Sequence, residues 1–152
     1  MLEIKENQEL NIFNLLSYRG KVSQTEFEPI GKEMEKYIQE TGAKRVGNFI
    51  TATYAIEEEI FDMEILIPID KKIESIGKFT FKNQIKIINA VVASYTGHPM
   101  GLQDACMQLN QYTIDNKLQP VTVGYNVMKK TDMLSPEQTE IDVYVGISPN
   151  IL

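Results

Sequence analysis

The sequence is poor in the residues that carry most metal and nucleophile chemistry. Of its 152 residues, one is cysteine, Cys106, and one is histidine, His98. A single cysteine excludes an internal disulfide framework and any cysteine-cluster metal site. A single histidine argues against a histidine-based zinc site and against a Ser-His-Asp arrangement. Neither a metal nor a cofactor is expected. Positive charge is also scarce, with 15 Lys+Arg against 21 Asp+Glu and a net charge of −6. Phosphate contacts are made mainly by clustered Lys and Arg, so direct nucleic-acid binding is not expected. Lys71-Lys72 and Lys129-Lys130 are too short to form such a patch. Long apolar runs are missing as well. The stretches around residues 85–93 and 64–69 fall far short of the ~20 residues of a membrane helix. The opening Met1-Leu-Glu-Ile-Lys-Glu-Asn-Gln is charged and lacks an apolar core, so it does not read as a secretory signal. Nothing before Asn11 is long enough for a helix-turn-helix. One cysteine and no export signal favour a cytoplasmic location.

What is present describes an ordinary folded domain. Apolar residues make up 43% and charged residues 24%, a globular balance. A chain of this length buries roughly 68–70% of its unfolded surface, enough for a core without staples. The acidic balance suits a cationic or neutral ligand.

The chain repeats itself. Ser17-Tyr18-Arg19-Gly20 recurs as Ser94-Tyr95-Thr96-Gly97. A helical pattern follows each copy. In the first, Thr25 and Glu28 form a capping-box pair, Phe27, Ile30, Met34, Tyr37 and Ile38 share a face, and Gly42 is a stop. In the second, Leu102, Ala105, Cys106, Leu109 and Tyr112 share a face, and the helix fades at Asn116-Lys117. Two strand patterns follow each helix: Lys44–Tyr54 and Ile60–Ile69, then Val121–Lys130 and Thr139–Ile147. Strands are also expected ahead of the helices, at Asn11–Tyr18 and Gln84–Tyr95, with a short extra one at Lys78–Lys82. Turns are expected at Glu57-Glu-Glu59 and at residues 131–136. The spacer Asp70–Gly77 is the candidate linker. The expected fold class is α+β, with duplicated strand-helix-strand-strand units. These form a pseudo-two-fold antiparallel sheet assembly, with helices on one face and a central groove. One domain covers residues 1–152, with repeats at about 10–70 and 78–148, a spacing of roughly 75 residues.

The closing strand of each repeat points to a site. Phe61, Met63, Ile65, Ile67 and Ile69 alternate with Asp62, Glu64, Leu66 and Pro68. Ile141, Val143, Val145 and Ile147 alternate with Glu140, Asp142 and Tyr144. Period-two alternation packs one face on apolar neighbours and leaves the other for water or a ligand. The free faces carry carboxylates, and Tyr18, Phe49, Tyr54, Tyr95, Tyr125 and Tyr144 supply aromatic surface. A carboxylate beside aromatic rings receives an organic cation by charge and by cation–π attraction, about 0.5–2 kcal/mol per contact. His98 reads as a turn residue and Cys106 as a small core residue.

In order and spacing these segments resemble the GyrI-like, or effector-binding, domain, the ligand module of multidrug-sensing transcription regulators. The resemblance rests on Ser94-Tyr-Thr-Gly-His-Pro-Met-Gly-Leu102 and on Leu109-Asn-Gln-Tyr112 leading to Leu118-Gln-Pro120. It also rests on Thr139-Glu140-Ile141 and on Phe61-Asp-Met-Glu64-Ile-Leu-Ile-Pro68. It spans about residues 10–148. It departs from the family's Gly-Pro-Tyr turn, here Gly97-His98-Pro99-Met100, and it has Gly146 where the family often has proline. The resemblance implies a groove between the repeats that takes hydrophobic cations. Glu140 is the first acidic candidate, followed by Asp142 and Glu64. The implied function is non-enzymatic small-molecule sensing or sequestration, with a small organic cation, aromatic in part, as partner. Two other readings remain: a protein-interaction module acting on a partner such as a topoisomerase or a toxin system, and a hydrolase of reactive electrophiles.

Overall fold

A computed structural model describes residues 2–23, 25–98, 101–130 and 139–148. The described residues form six strands and two helices: β1 (Leu2–Ser23), α1 (Phe27–Glu40), β2 (Ile50–Glu57), β3 (Ile60–Pro68), β4 (Phe79–Gly97), α2 (Leu102–Asp115), β5 (Tyr125–Lys130) and β6 (Thr139–Gly146). Pairings β1–β3, β2–β3, β4–β6 and β5–β6 are all antiparallel. The α+β class therefore stands. Among the described residues, no helix is long and apolar enough to cross a membrane. The turn expected at residues 131–136 and the pair Pro99-Met100 lie outside the described residues.

The chain forms two compact units. One is Ile12–Ile85, and the other takes the residues up to Asn11 and from Lys86 onward. The boundary runs through β1 and β4, because both strands are longer than the sequence pattern suggests. The expected strand Asn11–Tyr18 is the middle of a 22-residue strand. Its first third, with Glu3, Lys5, Glu6 and Gln8, lacks the apolar density that marks a strand in sequence. Likewise the strands expected at Lys78–Lys82 and Gln84–Tyr95 are, from Phe79 onward, one 19-residue strand. Two other strands start later than expected. Arg45 makes only a single bridge to Ile69 before β2 begins at Ile50, and Pro120 only a single bridge to Ile147 before β5 begins at Tyr125.

In the Ile12–Ile85 unit, Ile30, Met34 and Ile38 of α1 pack on Leu16, Val22, Met63, Ile65, Ile67 and Ile69. Removing such side chains from water contributes on the order of 1.5–3 kcal/mol each. The start of α1 differs from the expected Thr25–Glu28 box. Glu26 is the cap residue, and no side chain caps there. Pro29 falls at the third helical position and has no N–H for a cap to satisfy. The chain is instead held by a reciprocal turn: the Glu26 N–H donates to the Ser23 carbonyl, 3.0 Å, and the Ser23 N–H donates to Glu26 Oε1, 3.1 Å. The segment Asp70–Gly77 is not a linker. Ile73 is part of this core, and the Tyr37 hydroxyl donates to the Glu74 carbonyl at 2.7 Å.

In the other unit, Leu109 of α2 packs with Val91, Ala93, Ile141, Val143 and Ile147, and Cys106 lies against this cluster. Burial pushes the Cys106 thiol above its ordinary value, so it stays protonated and unreactive. The Tyr95 hydroxyl donates to the His98 carbonyl at 2.6 Å. A β-carbon on Gly101, the cap residue of α2, would overlap that hydroxyl. Tyr95 is thus built into the turn that starts the helix.

Candidate functional site

Burial separates the charged residues sharply. Among the described residues, the buried carboxylates are Glu64 on β3 and Asp142 on β6. Burying an ion is costly unless it is paired and hydrogen-bonded, and both are. The expectation that the second face of β3 meets water does not hold. Glu64 and Leu66 on that face are buried along with Met63, Ile65 and Ile67 on the other. A strand covered on both faces reads as a nearly continuous apolar run, as Ile65-Leu-Ile-Pro-Ile69 does.

Glu64 is placed by register. Arg19 of β1 and Ala52 of β2 lie opposite it, and Ser17 lies opposite Leu66 two residues on. Ser17, Arg19, Glu64 and Leu66 therefore share one face. The Ser17 hydroxyl donates to Glu64 Oε2 at 2.5 Å, and Lys82 Nζ lies 2.5 Å from the same oxygen. The Tyr54 hydroxyl reaches Oε1 at 3.3 Å. Tyr54 can do this because the β2–β3 register shifts between Thr53 and Ala55. A bulge of this kind re-aims a side chain. The Arg19 guanidinium sits 3.7 Å over the Tyr54 ring and grips Asp62 through two hydrogen bonds, 3.1 and 3.2 Å.

Asp142 is placed in a comparable way within its own unit. Ser94 and Val127 lie opposite it, and Tyr125 lies opposite Tyr144 on the same face. The β5–β6 register shifts between Met128 and Lys130, and the intervening Lys129 brings its Nζ to 3.3 Å from Asp142 Oδ2. That contact raises the Lys129 ammonium above its ordinary value, so it stays charged. Burial first, and the Asp142 charge second, push the Tyr144 hydroxyl up, so it remains a donor at neutral pH.

The residues singled out from the sequence divide accordingly. Glu64 and Tyr54 meet in one cluster, and Asp142, Tyr144 and Tyr125 share one strand face in the other. Glu140 is on that face too, but is exposed. Tyr18, Tyr95 and Phe49 lie elsewhere. Tyr18 packs against the α1 core and meets the Phe79 ring edge-on at 6.3 Å. Tyr95 serves the α2 turn, and Phe49 packs on the α1 core under Arg45. Sequence reasoning missed Ser17, Lys82, Arg19 and Lys129. Ser17 and Arg19 were legible as the alternate positions of the Ser17-Tyr-Arg-Gly motif, whereas Lys82 and Lys129 had no local signal. Among the described residues, no cluster of three His, Cys, Asp or Glu side chains suits a metal ion.

Two carboxylates outside the buried pair set an acid limit. Hydrogen bonding from Arg19, foremost, holds Asp62 below its ordinary 3.8, and hydrogen bonding from Ser23 holds Glu26 below its ordinary 4.5. A carboxyl depressed in the folded state contributes stability above its unfolded value and loses it as pH falls through the folded one. Thermal midpoints are therefore expected to hold above about pH 5 and to fall progressively below the ordinary carboxylate range. Asp62→Asn is expected to flatten that fall, as measured by circular dichroism melts between pH 3 and pH 6.

No protein-family model and no curated protein matches the sequence. Solved structures do match. The crystal structure of the EcmrR C-terminal domain aligns with a TM-score of 0.79 at 15% identity, over 97% of each chain. EcmrR in its cryo-EM complex with DNA aligns with a TM-score of 0.76 at 18% identity, over 97% of this chain. The chain spans 57% of that EcmrR chain. SAV2435 bound to tetraphenylphosphonium aligns with a TM-score of 0.55 at 10% identity, over 98% of this chain and 94% of that one. These likenesses show a shared fold, the GyrI-like α+β one that the sequence resemblance implies.

Proposed function

We propose that the chain is a ligand-binding effector domain, serving transcription regulation or drug sensing, that receives hydrophobic organic cations at a buried carboxylate. The observation that carries this reading is the pair of buried acidic side chains on β3 and β6, Glu64 and Asp142. Each is contacted by a residue at a register shift, and each has a tyrosine hydroxyl or a tyrosine ring close by. A buried carboxylate at which cations already settle can hold a guest cation. The 3.7 Å seat of a guanidinium on Tyr54 shows that this ring accepts a positive charge on its face. The shared fold with SAV2435 and the EcmrR C-terminal domain supports the ligand class and the regulatory setting.

Titration calorimetry with tetraphenylphosphonium tests the reading. Dissociation constants of about 1–100 μM are expected, an affinity of roughly 5–8 kcal/mol. Absence of binding up to about 1 mM, a free energy weaker than roughly 4 kcal/mol, would remove the proposal.

A further inference from the structure

We infer that Lys82 is a resident counter-cation of the Glu64 site, displaced by the guest, and that this exchange selects which cations the site accepts. The inference rests on the cation-binding reading above and adds its selectivity. The Lys82 ammonium is 2.5 Å from Glu64 Oε2, while the side chains of Lys82 and Glu64 are 40% and 5% exposed. One partner is a fixed, dry carboxylate, and the other is a flexible stem that reaches in from water. The carboxylate cannot stand alone, because an uncompensated buried charge is strongly disfavoured. Lys82 therefore stays until another cation replaces it. On leaving, its ammonium recovers a full hydration shell, since it is a compact and strongly hydrated charge.

The exchange balances the hydration Lys82 regains against the hydration the guest loses. A small, tightly hydrated cation such as sodium or ammonium gains nothing by trading places with Lys82. A bulky cation whose charge is spread over apolar groups loses little hydration on entering, and it also brings apolar surface out of water. The site thus rejects compact cations without any steric filter. Arg19 repeats the device at the ring: its guanidinium already occupies the Tyr54 face and is tied to Asp62. In the other unit Lys129, 57% exposed, sits on Asp142, 12% exposed, in the same relation. Ser17 and Tyr54 remain on the Glu64 carboxylate throughout, so the exchange changes only the cation.

Two measurements on the full chain decide the matter. In calorimetry with tetraphenylphosphonium, Lys82→Met is expected to bind about tenfold or more tightly than the unaltered protein, because the internal competitor is gone, whereas Lys82→Arg gives no such gain. Independently, the unaltered protein is treated with an amine-acylating reagent and digested for mass spectrometry. Saturation with tetraphenylphosphonium is expected to raise the acylation rate of Lys82 severalfold. Equal or weaker binding by Lys82→Met, or a Lys82 acylation rate that is unchanged or lowered by the ligand, overturns the inference. Should Lys82→Met fail to fold, the acylation rates alone decide. Loss of affinity in Glu64→Gln alongside an unchanged Lys82→Met keeps the cation-binding reading and rejects the exchange. No binding by any variant rejects both.

Discussion

Replacing Glu64 by glutamine is expected to weaken tetraphenylphosphonium binding by roughly 10- to 100-fold, a loss of about 1.4–2.8 kcal/mol, the range of a charge-assisted contact in a dry site. Glutamine keeps the volume and one oxygen that can accept from Ser17, while its amide nitrogen stands where the second oxygen faced Tyr54. It removes the charge that opposes a guest cation. The fold should tolerate the change, because Lys82 is already partly in water and is not stranded. Asp142→Asn, measured in the same way, reports whether the β6 carboxylate binds as well. Glu140→Gln is the discriminating control. Its carboxylate is exposed, and an exposed charge pair is worth only about 0–1 kcal/mol, so its affinity should change by less than about fivefold. A large loss in Glu140→Gln with none in Glu64→Gln would move the site to the rim of β6 and reject the buried carboxylate. Calorimetry on purified variants with matched thermal midpoints makes the comparison.

Ile65→Ala is expected to destabilise the protein by about 2–5 kcal/mol, the range for truncating a large aliphatic side chain in a closed core. Ile65 is completely buried and lies opposite both Tyr18 of β1 and Thr51 of β2, at the centre of three paired strands. Hydrogen-bonded neighbours on both sides limit how far the backbone can collapse into the space left. For a chain of this size the loss corresponds to a drop of roughly 5–15 °C in thermal midpoint. Ile56→Ala on β2 is the matched surface change. Ile56 is 61% exposed, and its removal should alter stability by less than about 0.5 kcal/mol. Melting curves followed by circular dichroism separate the two. An Ile65→Ala midpoint within 2 °C of the parent would mean that β3 is not the packed centre described above.

Both expectations draw on features that were partly legible in the residue pattern. The period-two alternation of residues 61–69 and 139–147 located the closing strands within a residue. It also put Glu64 and Asp142 on the faces opposite Ile65 and Ile141. The helical faces around Met34 and Leu109 were equally clear, since amphipathic periodicity is a local property. Strand ends were less so. The polar first third of β1 is strand because it pairs, not because its residues favour the extended state, as expected when context outweighs β propensity.

The residue order by itself determined the α+β class, the two helices, the closing strands and the presence of carboxylates on them. Only the tertiary structure decided which carboxylate is dry and what holds it. Ser17 and Lys82 are remote in sequence from Glu64, and cross-strand register brings them within hydrogen-bonding reach. The aim of Tyr54 and Lys129 depends on register shifts that no local pattern announces. Burial of a charge is a property of everything packed around it, so it cannot be read from the strand that carries it.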